Sequence, residues 1–220
     1  VLRRVKLLVP QKLLGCVNVI SILKKSSVAK LKSKFKSLSD DVLKIDLELL
    51  DICQCLSYLK KELNELNANY CDQEAKLRTA ALSDQDTIGI EILLELKNVE
   101  KLIRFTEYFI SQTNKKLEKI SKTRNEKLEF FFNEVQQVST NQNDEELTAI
   151  LSKLENLLKT PPDHCIKLPG NNEIAENYFV KKYRAKYKKL SREQISLKHD
   201  DLEKLYFEYK HEAKMKININ

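Results

Sequence analysis

The chain has no tryptophan, and only three glycines and four prolines among its 220 residues. So few turn-forming residues argue against sheets, tight loops and glycine-rich phosphate cradles, and for long helices. The prolines stand at Pro10, Pro161, Pro162 and Pro169, so 150 consecutive residues carry none, and only Gly15 and Gly89 interrupt that span. Paired-carboxylate clefts and the serine-elbow motif are missing as well. A concave catalytic pocket is hard to build from long helices with so little glycine. No catalytic residue, cofactor or enzymatic activity is therefore expected. The cysteines are odd in number: Cys16, Cys53, Cys55, Cys71 and Cys165. Their spacing fits no disulfide framework and implies free thiols in a reducing, intracellular compartment. No metal site is expected either, because such a site needs four ligands. Cys53 and Cys55 point to opposite flanks of one helix, His164 and Cys165 are mere sequence neighbours, and His199 and His211 lack ligand spacing.

Acidic residues are absent from positions 1–39, which hold ten Lys and Arg. Positions 40–171 hold 17 basic and 24 acidic residues, and 172–220 hold 12 basic and 8 acidic. A negative middle between two positive ends reads as solvated helix surface or as a grip on an anionic partner. Residues 1–26 form a distinct basic, apolar segment: an anchor, a targeting sequence or a docked helix. Its apolar run at 13–23 is too short to cross a bilayer, which takes about 20 apolar residues. Arg3 and Arg4 ahead of that run resemble a signal-peptide start without a small-residue cleavage site. The acid-free, serine-bearing composition also fits a mitochondrial transit segment. A first residue other than Met is expected of a piece of a longer chain.

What the chain has in abundance is a stripe of apolar residues at spacings of three and four. Val28, Phe35, Val42, Leu49, Leu56, Leu63, Tyr70 and Leu77 form one column; Leu31, Leu38, Ile45, Ile52, Leu59, Leu66, Gln73 and Ala80 form the other. A seven-residue repeat sustained this long argues a coiled coil, because an ordinary helix drifts about 20° per heptad from a strict seam. The helix–helix interface is assigned to Val28, Leu31, Phe35, Leu38, Val42, Ile45, Leu49, Ile52, Leu56, Leu59, Leu63 and Leu66. Charges border the seam except at Cys53 and Cys55, where the stripe widens enough for a third helix. The polar stretch 83–87 breaks the pattern and supplies helix caps. A second helix over 87–139 carries the seam Ile92, Leu96, Val99, Ile103, Thr106, Ile110, Thr113, Leu117 and Ile120. Arg124 and Lys127 fall in that seam, which predicts a bend or a solvent-exposed stretch near 121–127. A short helix over 144–160, with core face Leu147, Leu151, Leu154 and Leu158, and a last helix over 172–216 complete the reading. The fold class is all-α: an elongated antiparallel helical bundle or coiled coil with two or three long helices, forming a single module over 27–216.

Two charged clusters are candidates for binding. Asp40, Asp41, Asp46, Glu48 and Asp51 would pair with the basic segment of a second copy or simply be solvated. Residues 179–189 interleave Phe179, Tyr183 and Tyr187, at helical spacing, with Lys181, Lys182, Arg184, Lys186, Lys188 and Lys189. Either the aromatics pack inward and the lysines are solvated, or the segment grips a membrane surface or RNA. The expected function is a non-enzymatic scaffold or tether that assembles through helix packing with itself or a helical partner. In size, long helices, dimerisation and a basic surface, the expected architecture also resembles a BAR domain, although no residue motif carries the likeness. That resemblance implies a dimeric, peripheral membrane-binding module gripping anionic lipid with the 181–189 cations, assisted by Arg3, Arg4 and Lys6. A nucleic-acid-associated coiled coil using the same cations is the third reading. A cytoplasmic or membrane-peripheral location follows from these readings, or a mitochondrial one if residues 1–26 are a targeting sequence.

Overall fold

The computed structural model describes residues 11–139, 145–159, 176–193 and 198–218, with side chains from Ser27 to Lys216 within those spans. Among the described residues the chain is all-α, with five helices and no strand. They are α1 (Gln11–Leu82), α2 (Asp86–Ser139), α3 (Glu145–Lys159), α4 (Tyr178–Arg192) and α5 (His199–Asn218). α1 starts well ahead of the expected position 28, since nothing between Gln11 and Val28 except Gly15 opposes a helix. The turn into α2 lies at the polar stretch where a break is expected. The backbone N–H and side-chain Oγ of Ser83 both donate to the Thr79 carbonyl, at 3.0 and 2.8 Å. Asp84 reverses the chain at φ 54°, a left-handed conformation that Asp tolerates better than most side chains.

The helices pack as two compact units, and α1 and α2 contribute to both. The first unit joins α1 up to Leu47, α2 from Ser121 and α3. Val28, Leu31 and Val42 of α1 meet Leu128, Phe131 and Val135 of α2 and Leu147, Ile150 and Leu154 of α3 in one buried cluster. α1 and α2 run antiparallel here, with Lys34 on Glu134 at 2.5 Å and Lys127 on Asp41 at 3.7 Å. The core face of α3 is turned slightly from the expected one: Ile150 is buried, while Leu151 and Leu158 are only partly so.

The stretch 121–127 is exposed, as expected, at Lys122, Thr123, Asn125, Glu126 and Lys127, but not at Arg124. The helix is unbroken there and Arg124 is buried, with its side chain 3% exposed. Its Nε and Nη2 donate to the two carboxylate oxygens of Asp46, at 2.5 and 3.3 Å, and its Nη1 donates to the Leu157 carbonyl at 3.1 Å. A bidentate partner satisfies the guanidinium away from water. The third bond takes up a carbonyl near the C-terminus of α3, one of the group that a helix end leaves without an internal partner. The polar interruption of the seam is therefore a clasp between three helices.

The second unit joins α1 from Glu48, α2 up to Ile120, α4 and α5. In one cluster Ile52, Cys55, Leu56 and Leu59 of α1 and Phe109 of α2 meet Phe179, Val180 and Tyr183 of α4. In another, Leu77 and Ala81 of α1 and Leu93 and Leu96 of α2 meet Tyr206 of α5. The stretch expected to be one helix over 172–216 is divided. α4 ends at Arg192, Glu193 is extended at φ −77° and ψ 99°, and α5 begins at His199. The charges suit that division: Lys189 and Arg192 occupy the last turn of α4, and Asp200 and Asp201 the first turn of α5. Both placements complement the helix dipoles. Lys101 of α2 adds a bond to the Glu193 carbonyl at 2.5 Å.

Candidate interaction surface

α4 is set in place by Asn177. Its Oδ1 accepts from the backbone N–H groups of Phe179 and Val180, at 3.0 and 3.2 Å, which caps the helix. Its Nδ2 donates to the Asp51 carbonyl of α1 at 2.8 Å, so one buried side chain both starts α4 and pins it. Tyr183 then enters the core. Its ring stacks on Phe105 with centroids 5.6 Å apart and meets Phe109 and Tyr58 edge-on. The Thr106 Oγ1 donates to the Leu102 carbonyl at 2.8 Å and lies 2.9 Å from the Tyr183 hydroxyl. Thr106, an exception in the apolar seam of α2, is thus the polar partner of a buried phenol. Burial raises the Tyr183 pKa above the ordinary phenol range, so the hydroxyl stays protonated as a donor.

With Phe179, Val180 and Tyr183 buried, the opposite face of α4 is fixed. It presents Tyr178, Lys181, Lys182, Lys188, Lys189 and Arg192, all exposed. The whole helix holds seven Lys and Arg and no acid. The expected cations take different positions on it. Arg184 turns toward α1, where it lies over the Tyr58 ring at 5.0 Å and donates to its hydroxyl at 3.3 Å. Lys186 is exposed at the other edge. Lys181 pairs with Glu176 at 2.6 Å, and Lys189 reaches Glu193 only at 4.0 Å. The ammonium groups of Lys182, Lys186 and Lys188 form no ion pair among the described residues. Arg3, Arg4 and Lys6, like His164 and Cys165, lie outside the described residues. Sequence spacing missed Tyr178, which is 63% exposed on the outward face. Its position one residue before the inward-facing Phe179 was the available signal.

The twelve seam residues of α1 all face inward. Val28, Leu31, Val42, Leu49, Ile52, Leu56, Leu59 and Leu66 are buried, and Phe35, Leu38, Ile45 and Leu63 are half-buried. Their partners include α2, α3 and α4 of the same chain. Three of the five acids in the acidic cluster are also engaged within the chain: Asp46 by Arg124, Glu48 by Lys116 at 2.8 Å and Asp41 by Lys127. Cys55 sits under α4, where burial pushes its thiol pKa up to about 12, so it is a packing residue rather than a nucleophile. Cys71 is exposed as a free thiol.

Several open hollows lie along the described helices. One of about 520 Å³ lies between α1 and α2 in the first unit, with Leu38, Phe130 and Phe131 among its lining residues. Phe130 is 75% exposed there, and the two cross-helix pairs Lys34–Glu134 and Lys127–Asp41 flank it. No group of three or more His, Cys, Asp or Glu among the described residues is placed to hold a metal ion. No described helix is long and apolar enough to cross a membrane. Comparison with protein-family models, with curated proteins and with solved structures finds no match.

Proposed function

We propose that the chain is a non-enzymatic helical scaffold or tether, which assembles by helix packing with a second copy or another helical protein in a reducing compartment. The observation that carries this reading is the open α1–α2 groove around Phe130. Its apolar lining, between ion pairs that join α1 and α2 at either end, offers an apolar contact to a further helix. The seam of α1 is already occupied by the chain's own helices, so recognition falls to this second groove. An exposed aromatic in a groove is also the usual anchor of a helix-in-groove contact.

Size-exclusion chromatography with light scattering tests the reading in its self-assembling form. The wild type is expected to run as a defined oligomer. Phe130→Asp is expected to run at the mass of one chain with an unchanged circular dichroism spectrum. A wild type that stays at the mass of one chain over a wide concentration range overturns self-assembly. An oligomer that Phe130→Asp leaves intact removes this groove as its seam.

A further inference from the structure

We propose that the outward face of α4 binds the sugar-phosphate backbone of a nucleic acid, independently of the assembly groove. Lys181, Lys182, Lys188, Lys189 and Arg192 lie on one side of a single helix, with no acid between them. From Lys181 to Arg192 the helix rises about 16 Å at 1.5 Å per residue. A duplex strand winds about half a turn over that axial length, so a straight track meets only part of one strand, and its cations draw on the phosphates of whichever strand faces the helix. Tyr178 stands at the start of the track, mostly exposed, where its ring can stack on an unpaired base at the end of the contact.

The shape of the track favours a strand over a bilayer. Interfacial helices bury their apolar face among lipid tails, but the apolar residues of α4 are committed to the protein core. Acids also border the cations. Glu176 and Glu193 lie at the two ends of the helix. A flat anionic surface would have to approach those carboxylates together with the lysines. A narrow polyanion can run along Lys182 and Lys188, which pair with neither carboxylate.

The test is fluorescence anisotropy of the full chain with a labelled duplex of about 20 base pairs and the matching single strand, between about 50 and 200 mM salt. Binding is expected to weaken with salt at a logarithmic slope of up to about −4.5 on the duplex, the bound that five cations set. Lys182→Glu/Lys188→Glu/Lys189→Glu is expected to lower affinity at least about tenfold and to cut the slope by about three. Lys30→Glu/Lys36→Glu/Lys153→Glu makes the same change in net charge on exposed positions elsewhere, and is expected to stay within about twofold of wild type. Circular dichroism checks that both variants fold. No binding by the wild type at the lowest salt overturns the proposal, as does equal loss in both triple variants. So does sedimentation with anionic vesicles that the α4 variant abolishes, if the oligonucleotides stay unbound.

Discussion

At Gly89 a Cβ built on the backbone would stand 2.2 Å from Cε2 and 2.6 Å from the hydroxyl oxygen of Tyr206. The Tyr206 ring is fully buried and its hydroxyl donates to Asp86 at 3.1 Å, so it has nowhere to retreat. Gly89, which reads in sequence as a weak point in a helix, is the notch into which α5 lays the fully buried Tyr206 ring. Gly89→Ala sets two effects against each other. Helix propensity gains up to about 1 kcal/mol. Overpacking of a filled site costs about 1–3 kcal/mol. The net expectation is a lower melting temperature. In a Tyr206→Ala background the clash disappears, and the same Gly89→Ala change is expected to be neutral or stabilising. A thermal-denaturation cycle over the four proteins reads this reversal of sign, and equal destabilisation in both backgrounds would rule the notch out. Arg124 and Thr106 teach the same lesson. Each breaks the apolar period of α2, and each is where a third helix is fastened by a hydrogen bond that periodicity does not encode.

α5 is held at its turn end by charge as well as by packing. Asp84 accepts from Lys210 at 2.8 Å and from Lys214 at 2.6 Å, and Asp86 accepts from Lys210 at 2.5 Å. These lysines hold the Asp84 carboxyl well below its usual 3.8, at about 2. A carboxylate with a lowered folded pKa stabilises the fold fully above its unfolded value, and that contribution is lost as pH falls through the folded one. The docking of α5 is therefore expected to weaken as pH drops from about 4 to about 2. Asp84→Asn isolates the charge, because Asn also tolerates the left-handed backbone at this position. Hydrogen exchange at neutral pH is expected to quicken several-fold in α5 and to stay unchanged in α4; equal rates in α5 before and after the change would exclude the clasp. None of this was visible in the polar stretch 83–87, which announces a turn and helix caps but not a partner more than a hundred residues away. Likewise the cationic run of α4 was legible as a run, whereas its outward subset depended on knowing that Val180 and Tyr183 point inward. The end of α4 was hidden for a related reason: no glycine or proline stands between Ser191 and His199, so only the reversal of charge marks it.

Over the whole chain, the seven-residue spacing of α1 reads as one continuous seam from Val28 to Ala80. The columns count turns along a single helix, and they carry no record of which third helix lies on each portion. In the structure α3 covers the early part, and α4 and α5 cover the later parts. Each buried cluster falls within one of the two compact units. Local stability is set by the buried contacts a segment makes, so the two units are expected to open separately although α1 and α2 enter both. Leu147 is fully buried in the first unit, and replacing a buried leucine with alanine costs about 2–5 kcal/mol. Leu147→Ala is expected to speed amide exchange in α3 and in α2 from Ser121 onward, while amides of α4 keep their wild-type rates. Hydrogen-exchange mass spectrometry resolves these segments as peptides. If α4 and α5 lose protection in step with α3, the whole chain opens as one cooperative body, and the long helices rather than the separate clusters govern its stability.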